Sequence, residues 1–252
     1  MLEYSSSSEI TLADHFIPFG RPYLNIKFRG RMRGDKEPFM GEDFSDNHIS
    51  GQVLESFNNI HSGDSGMCGI FFHPTGFYQL FGFPMMELTQ STIKIEDFFG
   101  RAGEELIDRM IATESSRQKV NLFEELLKSR LQKKISEADD VEWALQLIQQ
   151  NPSQQIDDVC STLNISGRHL RRKFNQKVGI GPKYYLRIRR FHRALQLSHH
   201  YNQISLQDLS FGCGYYDQSH FSTDFRQFAG KHPHDYFKRN NRSLEEVGAI
   251  LK

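Results

Sequence analysis

Several features are missing from this sequence, and each absence narrows the field. No apolar run approaches the roughly 20 residues that cross a bilayer. The opening MLEYSSSSEI has no basic stretch leading into an apolar one, so no secretory leader is expected and the cytoplasm is the default compartment. Cysteine is scarce. Cys68, Cys160 and Cys213 are odd in number and widely spaced, which suits reduced packing residues rather than a disulfide framework or a zinc knuckle. There is no P-loop, no G-x-G-x-x-G and no Ser/His/Asp grouping, so nucleotide hydrolysis and nucleophilic catalysis have no support. His15, His48, His61 and His73 include no H-x-H pair that would converge two imidazoles on one metal. No cofactor and no enzymatic activity are expected. The most informative gap is in charge of one sign: between Asp158 and Asp208 there is no acidic residue.

What is present is ordinary in bulk and uneven in distribution. The 252 residues are 38% hydrophobic and 25% charged, the profile of a folded globular chain long enough for two domains. The 31 Lys and Arg balance 31 Asp and Glu overall. Residues 1–134 nevertheless hold 15 basic against 19 acidic residues, and the remainder 16 against 12. Residues 166–190, SGRHLRRKFNQKVGIGPKYYLRIRR, carry nine Arg and Lys and no acid. A one-sided field of that kind attracts phosphate, anionic lipid or an acidic partner.

The texture of the chain changes along its length. Residues 1–9 are a Ser-rich lead expected to be disordered, and 240–252 are a polar tail. From about 10 to 98 the short apolar runs PYLNIKF, SGQVLESF, GIFFHPTGFYQLFG and MMELTQSTIKI alternate with Gly and Pro, which is strand-and-turn grammar. From 103 the period becomes helical. Leu106, Ile107, Met110 and Ile111 form one stripe and Leu122, Phe123, Leu126, Leu127 and Leu131 another, as a dimer seam or as cover for the sheet. The expected fold class is therefore α+β in two domains. A mostly β domain with two C-terminal helices spans 10–132, a linker spans 133–140, and an all-α domain spans 141–239.

An internal repeat accounts for the basic stretch. Ile156, Val159, Leu163 and Ile165 recur fifty residues later as Leu206, Leu209, Cys213 and Tyr215, and small residues match at Cys160 and Ser210. After one inserted residue, His169, Leu170 and Phe174 recur as His220, Phe221 and Phe225. Then F174-x4-G-x2-P-x2-Y185 recurs as F225-x4-G-x2-P-x2-Y236. Each copy reads as helix, tight turn, helix. Asn164 and Gly214 suit a left-handed turn, and Ser166 and Asp217 suit N-caps. This is the grammar of a helix-turn-helix, whose second helix enters the major groove of DNA. The outward residues of the first copy are Gly167, Arg168, Arg171, Arg172, Asn175 and Gln176. Those of the second are Gln218, Ser219, Ser222, Thr223 and Arg226. Arginine forks read guanine and neutralise phosphate, so the first helix is expected to carry more of the affinity. A helix of about 16 residues between the units would hold the recognition helices near one DNA turn apart.

These residues closely resemble the AraC/XylS-type regulator domain over roughly 137–239. Its small-x-x-x-G-[FY] turn is matched by Ser210 to Gly214-Tyr215, its S-x-F pair by Ser219 and Phe221, and its close by Phe225, Gly230, Pro233 and Tyr236. The resemblance implies a sequence-specific DNA-binding regulator of transcription, more often an activator. Its base-reading positions fall on Arg168, Arg171, Arg172, Gln218, Ser219, Ser222 and Thr223. Asp224 departs from the family pattern, and a carboxylate near DNA is repulsive, so that turn is expected to face the protein or lie off the groove. The stretch at 69–100 resembles, less specifically, a cupin-like sensor domain. The partners implied are double-stranded DNA, RNA polymerase, a small-molecule effector in the N-terminal domain and a second copy of the chain, with no membrane.

Blander readings stand beside these. Phe71, Phe72, Phe77, Tyr78, Phe81 and Phe83 could line a ligand pocket, but alternating strand aromatics are more often core. Basic, amphipathic 183–197 could lie on a membrane, but its apolar residues are needed to pack the flanking units. Two rival functions remain: a metal-dependent cupin enzyme fused to a DNA tether, and an architectural protein that binds DNA without sequence preference.

Overall fold

A computed structural model describes residues 2–6, 12–36, 39–40, 47–130, 139–200 and 205–239. The N-terminal half is built on β5 (Phe57–Phe71), a 15-residue strand. One edge of β5 pairs antiparallel with β2 (Leu12–Phe16) and, further along, with β1 (Leu2–Ser6). The other edge pairs with β3 (Tyr23–Gly34), which is followed across the sheet by β4 (His48–Ser50) and β6 (Thr92–Lys94). The lead expected to be disordered is thus partly a strand. A β5 this long leaves edge amides and carbonyls beyond the reach of β2, and residues 2–6 satisfy them.

A second correction falls within the segment read as strands. Gly76–Phe81 is a helix, α1, and after a 3-10 turn at Met85–Leu88 the chain forms α2 (Ile95–Phe99). Phe77, Tyr78 and Phe81 sit at i, i+1 and i+4, which serves a helix as well as a strand, and Gly82 at φ 67° ends the helix in the left-handed conformation. The aromatics here are core. Phe77 packs within 4.6 Å of Phe81 and 5.2 Å of Phe98 between ring centres.

Helices α3 (Arg101–Ile111) and α4 (Ser116–Arg130) lay their apolar stripe on the sheet. Leu106, Met110, Leu122, Phe123 and Leu126 join Leu24, Ile26, Ile49 and Cys68 in one core. Ile111, expected on that stripe, is 52% exposed because it lies one residue, 100° of turn, past Met110. Of the expected linker, 133–138 lies outside the described residues, as do Leu131 and the tail at 240–252. Asp139 and Asp140 already belong to a helix start: the Asp139 side chain caps α5 (Asp140–Gln150) by accepting from the amides of Val141 and Glu142.

The C-terminal half is all helix: α6 (Ile156–Leu163), α7 (Gly167–Val178), α8 (Pro182–His200), α9 (Leu206–Gly212), α10 (Gln218–Ala229) and α11 (Pro233–Arg239). The connecting helix α8 has 19 residues, about 28 Å at 1.5 Å per residue. Its core includes Leu170, Phe174, Phe191, Phe221, Phe225 and Phe228, and extends into the other half through Ile17 and Phe19. The two halves therefore share buried surface. Among the described residues no helix is long and apolar enough to cross a membrane.

Candidate nucleic-acid interface

Both repeat units fold as their sequence predicts. Asn164 stands at φ 54° and Gly214 at φ 81°, turning α6 into α7 and α9 into α10. The Ser166 hydroxyl accepts from the amide of His169 at 3.2 Å, and the Asp217 carboxylate accepts from the amide of His220 at 2.7 Å. Cys160 and Ser210 are buried, and Leu170, Phe174, Phe221 and Phe225 are fully buried. One face of each second helix is thereby committed to packing. The opposite face is free for a partner.

In α7 that free face consists of Arg168, Arg171, Arg172 and Gln176, all exposed. The three arginines pair with no described residue. The rest of the basic stretch is largely spent on the fold. Lys177 forms an ion pair with Asp139, and Asp140 accepts from His169 Nε2 at 2.9 Å and Lys173 Nζ at 3.4 Å. These contacts hold α7 against α5. The hydrogen bond from His169, then the ammonium of Lys173, keep the Asp140 carboxyl below its ordinary range. Arg190 donates to the carbonyls of Pro152 at 2.8 Å, Ser153 at 3.3 Å and Gln154 at 3.1 Å, fastening the turn between α5 and α6 to α8. The charge run read as a single attractive field thus divides into inward anchors and outward arginines. The acids that separate them, Asp139 and Asp140, lie some thirty residues upstream of the run.

In α10 the free face is Gln218, Ser219, Thr223 and Arg226, exposed, with Ser222 half-buried. Thr223 Oγ1 donates to the carbonyl of Ser219 at 3.0 Å. Asp224, the residue that departs from the family pattern, faces the protein. It is 1% exposed and accepts from Arg187 on α8 through Nε at 3.1 Å and Nη2 at 2.7 Å. A carboxylate that would repel DNA is instead neutralised in the seam between the units. His220, half-exposed, packs edge-on to Tyr215 at 5.5 Å, whereas its counterpart His169 binds Asp140.

The N-terminal domain reaches the end of each recognition helix at matching places. Gln52 Nε2 donates to the carbonyl of Val178 at 2.9 Å and Thr89 Oγ1 to that of Gly179 at 2.5 Å, at the end of α7. His15 Nε2 donates to the carbonyl of Ala229 at 2.9 Å, at the end of α10. Gly179 and Gly230, the repeated glycines, have positive φ. A Cβ on Gly179 would stand 2.8 Å from Thr89 Oγ1, and one on Gly230 2.8 Å from Ser56 Oγ. Sequence reasoning missed these polar contacts because the donors lie in irregular segments or at a strand end, without a periodic signal. Of the histidines weighed as metal ligands, His61 faces Asp14 at 3.0 Å and His73 faces Glu142 at 3.9 Å. Among the described residues no group of three or more His, Cys, Asp or Glu side chains is placed to hold a metal ion.

Comparison with known proteins matches two separate stretches of the chain. Residues 159–239 match a family described as a helix-turn-helix domain. The HTH-type transcriptional activator RhaS of Escherichia coli is 34% identical over 98 residues, 39% of this chain and 30% of RhaS. The chain carries a helix-turn-helix domain at residues 159–239. The family match takes in both recognition helices and the whole of α8. The alignment spans less than a third of the length of RhaS. Residues 3–94 match a second family, described as a domain of unknown function (DUF6597). Across nearly the whole chain, ToxT from Vibrio cholerae is similar, covering 94% of this chain and 97% of its own with a TM-score of 0.51. At 13% identity that likeness is one of fold alone.

Proposed function

We propose that the chain is a sequence-specific DNA-binding regulator of transcription, more often activating than repressing, that sets α7 and α10 in adjacent major grooves. The observation that carries this reading is the pair of exposed recognition faces on duplicated, N-capped helices: three unpaired arginines on α7, and amide and hydroxyl groups on α10. Arg168, Arg171 and Arg172 supply bidentate contacts to guanine or phosphate. Gln176, Gln218, Ser219, Ser222, Thr223 and Arg226 supply the remaining direct hydrogen bonds. The connecting helix, about 28 Å long, suits half-sites about 34 Å apart.

In this reading the protein works in the cytoplasm on promoter DNA, with RNA polymerase as its second macromolecular partner and without catalysis of its own. The N-terminal domain takes a small-molecule effector or a second copy of the chain. Its contacts at the ends of both recognition helices support that role, since a change in the sheet is felt at both. RhaS is a transcriptional activator by name, which supports the activating sense.

Footprinting on the DNA flanking the protein's own gene tests the proposal. A phased, protected site of about 20 base pairs is expected, with binding that weakens steeply with salt. Uniform protection of random DNA would instead favour the architectural reading.

A further inference from the structure

Between α10 and the N-terminal domain lies a cleft of about 560 Å³. One wall is the recognition helix itself, at Ser222, Thr223 and Arg226; the other is Lys36 and Glu55 of the N-terminal domain, with His232 at the end. A helix with its side chains is about 10–12 Å across and the major groove about 12 Å wide. A helix docked there fills the groove, and a sugar–phosphate strand runs directly along each of its sides. This cleft flanks α10 along one such side.

Lys36 is built to meet such a strand. It sits in a tight turn after β3, closed by the Phe39 amide donating to the Lys36 carbonyl at 2.9 Å. The neighbouring Asp35 carboxylate fixes the turn by accepting from the Asn58 amide at 2.8 Å and from Asn58 Nδ2 at 2.6 Å. The Lys36 ammonium donates to the carbonyl of Ser56 at 3.1 Å, which uses one of its three protons. Arg226 lies on the facing wall, and Glu55 is the opposing charge at the rim.

We infer that one phosphodiester strand of the bound duplex occupies this cleft, with Lys36 on a phosphate, so that the N-terminal domain is itself part of the DNA interface. The inference rests on the regulator reading above and extends it beyond the AraC-type domain. Lys36 adds affinity and Glu55 subtracts it.

Fluorescence anisotropy of the full chain on its footprinted site, between 50 and 200 mM salt, tests this with Arg172→Gln as the reference. Lys36→Gln should weaken binding about three- to fivefold and flatten the slope of log affinity against log salt by about 0.9. Lys36→Arg should restore both, and Glu55→Gln should tighten binding. Equal melting temperatures would set folding aside. Unchanged affinity and slope in Lys36→Gln, alongside a clear loss in Arg172→Gln, would overturn the cleft proposal and leave the regulator reading standing. Tighter binding in both Lys36→Gln and Glu55→Gln would also overturn it, since the wall would then be a barrier to DNA. No salt-dependent binding by the unmodified chain would remove the regulator reading itself.

Discussion

The two helix-turn-helix units share one scaffold and use charge in opposite ways. In the first, three basic or imidazole side chains of α7 are tied inward to Asp139 and Asp140, and three arginines are left outward. In the second, the recognition helix contributes a carboxylate to the interior, where Asp224 meets Arg187 of the connecting helix. Duplicating a fold therefore preserved the apolar positions and the caps while the polar positions diverged. The first unit is suited to holding DNA by charge. The second, with amides and hydroxyls outward, is suited to discriminating among sequences at lower affinity.

The largest test of that contrast is Asp224→Ala. It leaves the half-buried Arg187 guanidinium without its carboxylate, and unfolding in denaturant should show a loss of about 3 kcal/mol. Asp224→Asn, which keeps an acceptor, should lose less. Equal stability of Asp224→Ala and the parent would mean that the buried pair does not join the units.

Next in size, Arg168→Ala, Arg171→Ala or Arg172→Ala should cost about 1 to 3 kcal/mol at a cognate site where the arginine reads a base, and Ser219→Ala about 1 kcal/mol. On random DNA the arginine that touches only phosphate loses as much as it does on the cognate site. A loss from Ser219→Ala that exceeded every arginine would reverse the assignment of affinity to the first unit.

The smallest effect expected is acid sensitivity confined to the first unit. Because the folded carboxyl of Asp140 titrates below its ordinary value, its contribution is present in full above the ordinary Asp range and fades as pH falls through the lowered value. Asp140→Asn should remove that part of the acid dependence from the unfolding free energy. An identical pH profile in the variant would show that the Asp140 cluster does not stabilise α7.

Much of this is legible in the sequence. A repeat compares a sequence with itself, so Asn164 with Gly214 and Ser166 with Asp217 could be recognised without outside reference. For Asp224 the clash with the expected ligand left two placements, facing the protein or off the groove, and the residue faces the protein. The helix at 76–81 was hidden because a short apolar run fits either period, and β1 because a polar strand is specified by the edge it completes. The inward lysines were hidden because their partners lie on another helix. Lys36 and Glu55 lie about 170 residues or more from the helix they face, and no local spacing announces such a pairing.

The hydrogen bonds from Gln52, Thr89 and His15 to the last carbonyls of α7 and α10 carry a thermodynamic consequence. Under the proposed function they join the sheet to both recognition helices, so that the two ends can be linked. Any molecule that binds the N-terminal domain and favours or breaks these three contacts changes affinity for DNA by a factor, and DNA must change affinity for that molecule by the same factor. Under the proposed function, DNA on α7 and α10 would itself be an effector of the sheet, and occupancy of either site could be read by measuring the other.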